Sequence, residues 1–115
     1  MSSPPRSAAG ARRPHPEPLF AALGNRTRLA LVTSLAPGRA RSIRELTGDS
    51  RLTRQAIAKH LRILERAGVV RATRRGRETR FRLDPEAIAA ARGYLDVVAA
   101  QWQEALGRLK AFVEP

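Results

Sequence analysis

The chain has 115 residues, 43% of them hydrophobic but only 4% aromatic, and its 22 basic and 10 acidic residues give a formal net charge of +12. This length suits one domain with an aliphatic core, and the absence of cysteine excludes disulfide frameworks, thiolate metal sites and cysteine catalysis. Because the sequence has neither a membrane-spanning apolar run nor the apolar stretch of a signal peptide, we expect a cytoplasmic protein with no membrane partner.

The first eighteen residues contain five prolines among Ser, Ala and Arg and show no hydrophobic periodicity. Residues 1–18 are therefore expected to form a disordered, basic, Pro-rich arm, followed by one domain over residues 19–115. Within that domain, residues 39–82 carry a net charge of +10, whereas residues 83–115 carry −2. A basic block beside an apolar, mildly acidic one indicates a polyanion-binding face and a separate packing face.

Two helices are predicted at the start of the domain. The first is a short apolar stretch that begins at Leu19 and ends near Gly24. Asn25 has a side chain suited to cap the second helix, which the Pro-Gly pair at 37–38 ends. The side of this second helix that we expect to be buried carries Leu29, Leu31, Val32 and Leu35.

A short helix, a turn and a longer helix follow. Ser42 and Glu45 have the spacing of a capping box, in which each side chain binds the backbone N–H of the other residue. The turn cluster Gly-Asp-Ser at 48–50 leads to Thr53, the predicted cap of the longer helix, which Gly68 ends. Two helices joined in this way are a candidate helix-turn-helix, and the longer one has a core face of Ile57, Leu61 and Leu64.

The hydrophobic period changes from 3.6 to 2 after the longer helix, which predicts a β-hairpin with Gly76 at its tip. A hairpin directly after a helix-turn-helix is a wing. A charged run is usually a solvated surface, but this position favours contact with the sugar–phosphate backbone or with a narrow minor groove. The candidate wing contacts are Arg74, Arg75, Arg77, Arg80 and Arg82.

The last predicted helix begins at Asp84-Pro85 and continues to about residue 114. Apolar residues recur along it in alternating steps of three and four, the pattern of helix-to-helix packing. The stripe could cover the core of the same chain, but a small domain rarely needs such a long helix, so we favour a homodimer interface. Its predicted residues are Ile88, Ala91, Leu95, Val98, Trp102, Ala105, Leu109 and Phe112.

These elements predict a mainly α fold with a small β-hairpin, a winged helix-turn-helix with a long C-terminal dimerisation helix. At this point the sequence resembles the ArsR family of bacterial repressors over residues 19–114. Leu-Thr-Arg-Gln-Ala-Ile-Ala-Lys-His-Leu at 52–61, with Leu-Glu-Arg-Ala-Gly-Val-Val at 64–70, resembles the family's recognition helix. Leu-Gly-Asn-Arg-Thr-Arg at 23–28 resembles its opening motif. The wing and the chain end, with Gln-Trp at 101–102 and Leu-Lys-Ala-Phe-Val-Glu at 109–114, resemble a subgroup often encoded beside START-like (SRPBCC) proteins.

The sequence departs from the metal-sensing members of that family. They carry Glu-Leu-Cys-x-Cys in the short helix, where this chain has Glu-Leu-Thr-Gly-Asp at 45–49. Their other site uses histidines and carboxylates of the last helix, and residues 85–114 contain no histidine. Asp96 and Glu104 are interpreted as surface carboxylates. We therefore expect no metal at either site and no cofactor.

The second helix of such a motif enters the major groove and reads base edges. Arg54 and Gln55 are its first two residues, able to pair with guanine and adenine respectively, although Arg54 fits a phosphate clamp equally well. Thr53 is the cap and a candidate phosphate contact, and Lys59 is a candidate phosphate contact. His60 is predicted to be half-buried, either packed with a satisfied ring nitrogen or in contact with a phosphate or base, and it completes the candidate set.

The predicted partner is double-stranded DNA with a palindromic operator, whose half-sites lie ~10 bp apart for a dimer. One alternative is a basic protein that binds DNA or RNA without an operator. Another is a protein–protein module that pairs through residues 85–114. An enzyme is disfavoured because the sequence shows no nucleophile–base arrangement. No residue indicates an effector, and repression is implied by the resemblance alone.

Overall fold

The computed structural model describes residues 16–35, 38–48 and 50–114. It has the predicted architecture, mainly helical with a small antiparallel sheet and a long last helix. Most of the predicted arm, residues 1–15, lies outside the described residues, and the first helix starts at Pro16 rather than at Leu19. In chain order the elements are α1 (Pro16–Leu23), α2 (Arg26–Ser34), β1 (Arg41–Ser42), α3 (Ile43–Gly48), α4 (Arg54–Arg66), β2 (Val70–Arg75), β3 (Glu78–Leu83) and α5 (Pro85–Val113).

Side chains cap α2 and α3 as the sequence predicts. The Asn25 Oδ1 accepts a hydrogen bond from the backbone N–H of Arg28 at 3.0 Å. The capping box before α3 is reciprocal: the N–H of Ser42 donates to the Glu45 Oε1 at 2.9 Å, and the N–H of Glu45 donates to the Ser42 Oγ at 3.1 Å. The hydrogen bond from the Ser42 backbone also lowers the pKa of the Glu45 carboxyl below its ordinary value.

The sheet contains a strand that the sequence analysis did not predict. Its strand order is β1-β3-β2, with β1 antiparallel to β3 and Arg41 opposite Phe81. A strand of two residues has no periodicity of its own, so no sequence pattern marks it. Its pairing joins the start of the helix-turn-helix to the base of the wing.

The core lies between α1, α2, α3, α4 and the base of the hairpin, and its centre is the fully buried face of α4. Leu31 of α2 and Leu35, which caps its C-terminal end, are buried as expected, but Leu29 is 51% exposed. Two residues along an α-helix correspond to a rotation of about 200°, so Leu29 and Leu31 lie on nearly opposite sides of α2. The prediction that Leu29 belongs to the buried side was therefore wrong.

Only the start of α5 belongs to this core. Ala87 and Ala91 are buried, and the Tyr94 ring packs against Phe20 of α1 with their centroids 5.7 Å apart. Ala91, a residue of the predicted dimer stripe, thus packs within its own chain. Beyond Tyr94 the large apolar residues of α5 are exposed, except Val98, which is partly buried. Across the described ranges, no helix has both the length and the apolar character to cross a membrane.

Candidate nucleic-acid interface

The helix α4 is oriented by its cap and by its buried face. The Thr53 Oγ1 accepts a hydrogen bond from the N–H of Ala56 at 3.2 Å, which confirms the predicted cap. Ile57, Leu61 and Leu64 are fully buried. The opposite side of the helix therefore faces solvent, and it carries the exposed side chains of Gln55 and Lys59. Thr53 and Arg54 precede Ile57 by four and three residues, so they lie on the side of the buried residues and are exposed at the N-terminal end of the helix.

The outer face of α4 extends further than the sequence analysis proposed. Arg62 and Arg66 are exposed and follow Gln55 and Lys59 at steps of four, three and four residues. That spacing places all four side chains on one stripe of the helix. Both arginines were missed because the candidate contacts ended at His60, although the helical spacing in the sequence already indicates them.

His60 differs from the other four predicted contacts, because its side chain is half-buried and bonded within the fold. Its Nδ1 lies 3.3 Å from the Arg28 Nη1, and the Arg28 Nε donates to the carbonyl oxygen of Ala22 at 2.7 Å. Desolvation, and to a smaller extent Arg28 and Lys59, lower the pKa of His60. The neutral ring thus accepts from Arg28 and joins α4 to the α1–α2 corner. This geometry favours the packing interpretation, and DNA contact by His60 stays a prediction.

The wing turns through Gly76 and Arg77, and Gly76 has a φ of +64°, a left-handed conformation that glycine adopts without strain. The antiparallel register distributes the wing arginines over two faces. Arg74 lies opposite Thr79 on the face that carries the core residue Phe81. The other face, which points away from the core, carries Arg71 and the remaining three predicted contacts of the strands: Arg75, Arg80 and Arg82.

The wing arginines also differ in their bonding partners. The Arg80 Nε lies 3.0 Å from the Glu78 Oε1, and the Arg74 Nε donates to the carbonyl oxygen of Gly76 at 3.3 Å. The side chains of the other three are exposed and make no hydrogen bond or ion pair with any residue that the structure describes: Arg75, Arg77 and Arg82. Unpaired guanidinium groups can bind phosphate oxygens without first breaking an internal contact.

A helix-turn-helix followed by a basic hairpin is the arrangement of winged helix-turn-helix proteins, and comparison with known proteins agrees. The ArsR-like transcriptional regulator from Rhodococcus sp. RHA1 superposes with a TM-score of 0.76 at 33% identity, over 84% of this chain and 91% of that one. The HTH-type transcriptional regulator Rv2034 of Mycobacterium tuberculosis is 36% identical over 81 residues, 70% of this chain and 75% of that protein. The chain belongs to the ArsR family. It is a DNA-binding transcriptional regulator and not an enzyme.

A third similar protein shares the fold of this ArsR-family chain. The homodimeric winged helix-turn-helix DNA-binding domain Mb0332 of Mycobacterium bovis has a TM-score of 0.60 at 24% identity, over 88% of this chain and 90% of that one. No family model matches the sequence. In the part of this ArsR-family chain that the structure describes, no three His, Asp or Glu side chains come together as metal ligands do.

Proposed function

We propose that the protein is a homodimeric repressor that binds a palindromic operator in double-stranded DNA and does not use the family's metal-sensing sites. The observation that carries the proposal is the outer face of α4. Gln55 and Lys59 are exposed there and Arg54 is exposed in the first turn, on a helix whose inner face is fully buried in the core. A rigid helix with a polar, basic outer side is suited to enter the major groove.

Within that helix, the residues of the first turn contact the edges of the bases. A bidentate contact of Arg54 with guanine or of Gln55 with adenine contributes ~1–3 kcal/mol of discrimination. Thr53 and Lys59 contribute phosphate contacts, to which the exposed stripe adds Arg62 and Arg66. The unpaired arginines of the wing bind the backbone or the minor groove beside the same half-site.

In the proposed dimer, the second protomer packs against the apolar face of α5. Trp102 is 64% exposed and Phe112 is 88% exposed, and both belong to the stripe with alternating steps of three and four. Large aromatic side chains in water are costly unless a partner covers them. A second copy of this chain is the partner we favour, because the stripe has the spacing of helix-to-helix packing and because the similarly folded Mb0332 domain is homodimeric.

Two recognition helices in a symmetric dimer read two half-sites ~10 bp apart, and a dimer bound across a promoter excludes the polymerase. Operation without the metal-sensing sites is supported by the residues at 45–49 and by the absence of cysteine from the chain. Thiolate coordination in the short helix is therefore impossible for this sequence. Because DNA is the proposed ligand, we assign the protein to the cytoplasm.

The test is fluorescence anisotropy with a labelled duplex from the region upstream of the protein's own gene. A scrambled duplex of equal length serves as competitor across a salt series. We expect binding that resists the competitor, with one dimer per site, and we expect Arg54→Ala and Gln55→Ala to reduce the preference about tenfold or more, from the contact energies above. Arg92→Ala removes an exposed charge from α5 and is the matched control.

Two outcomes would contradict the proposal. Equal affinity for both duplexes, lost steeply with rising salt, would identify a basic polyanion binder without an operator. RNA of the same length would then be the next competitor. Loss of preference in Arg92→Ala as large as in Arg54→Ala would show that overall charge, rather than the exposed residues of α4, determines binding.

A further inference from the structure

One residue, Asp84, separates the wing strand β3 from the long helix α5. Its backbone N–H donates to the carbonyl oxygen of Val69 at 2.9 Å, and its own carbonyl oxygen accepts from the N–H of Ala87 at 3.0 Å and of Ile88 at 3.4 Å. Asp84 is only 6% exposed. The backbone at this junction is therefore bonded in both directions, to the start of the hairpin and to the first turn of α5.

The Asp84 carboxylate also binds on both sides. Its Oδ1 accepts from the N–H of Glu86 at 2.9 Å and so caps α5, while its Oδ2 accepts from the Arg71 Nε of β2 at 2.9 Å. The pair contributes little to stability, because the Arg71 side chain is half exposed. The main effect of the ion pair is on the direction of α5. The same carboxylate binds the wing and the helix terminus, which limits rotation of α5 relative to the wing.

A small rotation at this junction becomes a large displacement along α5. At 1.5 Å per residue, Trp102 lies about 26 Å along the helix axis from Pro85, so a tilt of about 10° moves it by about 4.5 Å. That displacement exceeds the rise of one base pair, about 3.4 Å. In a dimer held by α5, the direction of this helix therefore decides where the second recognition helix meets the DNA.

We infer that Arg71 and Asp84 are positioning residues that set the half-site spacing the dimer accepts. The inference rests on the proposed function, because it requires a dimer through α5 that reads two half-sites. The two residues bind no base and no phosphate in this role. They act on specificity through the angle between the wing and the dimerisation helix.

The test compares full-length variants on a series of duplexes whose half-sites are moved apart or together by one base pair. Asp84→Asn keeps an acceptor for the helix cap but removes the charge that Arg71 binds, and Arg71→Gln removes the same ion pair from the other side. Arg82→Gln is the matched control. Arg82 lies directly opposite Arg71 on the same face of the hairpin and makes no ion pair among the described residues.

We expect the wild-type protein to prefer its best spacing about tenfold, and Arg71→Gln and Asp84→Asn to reduce that ratio to about threefold or to shift the best spacing. Arg82→Gln should weaken binding at every spacing by the same factor. The inference is wrong if Arg71→Gln and Asp84→Asn also lower the affinity by the same factor at every spacing, or leave the preference for the best spacing unchanged.

A second readout needs no DNA. The chain has no cysteine, so Arg77→Cys provides one spin-label site at the wing tip of each protomer. The distribution of label-to-label distances in the dimer should broaden or shift in Arg71→Gln and Asp84→Asn but not in Arg82→Gln. An unchanged distribution overturns the inference by itself. A wild-type protein without operator preference would instead contradict the proposed function, and the two failures are thus distinguishable.

Discussion

Replacement of Trp102 by alanine tests the proposed dimer interface, because Trp102 has the largest side chain among the exposed residues of the stripe. An aromatic side chain of this size buries up to about 250 Å², and Trp102 is 64% exposed in the single chain. About 160 Å² per protomer is thus available for burial, worth ~4 kcal/mol at ~25 cal/mol per Å². Imperfect packing and the cost of ordering side chains leave about half of that free energy for association. A dimer has two copies of Trp102, so the substitution should weaken association by ~4 kcal/mol, which raises the dimer dissociation constant about a thousandfold.

Sedimentation equilibrium over a range of protein concentrations measures that constant. Val97→Ala is the matched control, since Val97 is an exposed apolar residue of the same helix but lies outside the stripe with alternating steps of three and four. It should leave the dimer dissociation constant unchanged. The reasoning is refuted if Trp102→Ala does not weaken the dimer, or if Val97→Ala weakens it as much.

Two further predictions concern the single chain. Leu61→Ala should lower the free energy of unfolding by ~2–5 kcal/mol in urea denaturation, because it opens a cavity in the fully buried face of α4. The exposed Leu29→Ala should change it by no more than ~0.5 kcal/mol, and similar losses in both variants would contradict the assigned core. For His60, the fold lowers the pKa below its ordinary value of about 6.5, so the unfolded chain takes up a proton at a higher pH than the folded one. Stability should therefore be fully present above about pH 6.5 and fall as the pH drops below it. His60→Asn removes this titration, and an unchanged pH profile in that variant would show that another group is responsible.

Local features of this protein could be read from the sequence because their partners are close along the chain. The caps by Asn25, Ser42 and Thr53 each satisfy a backbone N–H three residues later. Asp84 does the same two residues later. Such bonds depend on residue type and spacing alone. For the same reason, the hairpin followed from the change of period and from the glycine at its turn.

Features that depend on distant partners could not be read in this way. Arg28 and His60 are 32 residues apart, and only the packing of α4 against the α1–α2 corner brings their nitrogens to 3.3 Å. The pairing of β1 with β3 likewise joins residues about 40 positions apart. Helical spacing in the sequence indicates which residues of α4 share a face. For the wing, only the strand register shows which arginines lie on the core side and which on the outer side.

By itself, the sequence determined the order of the elements, the capped helix α4 with Arg54 and Gln55 in its first turn, and the apolar stripe of α5, because capping and periodicity are properties of short segments. The tertiary structure decided which part of that stripe is used within the chain, where Ala91 is buried and Trp102 is not. It also decided that His60 binds Arg28 and that Arg71 binds Asp84. These contacts arise between segments that are separate in sequence, so they exist only once the common hydrophobic core has brought the segments together.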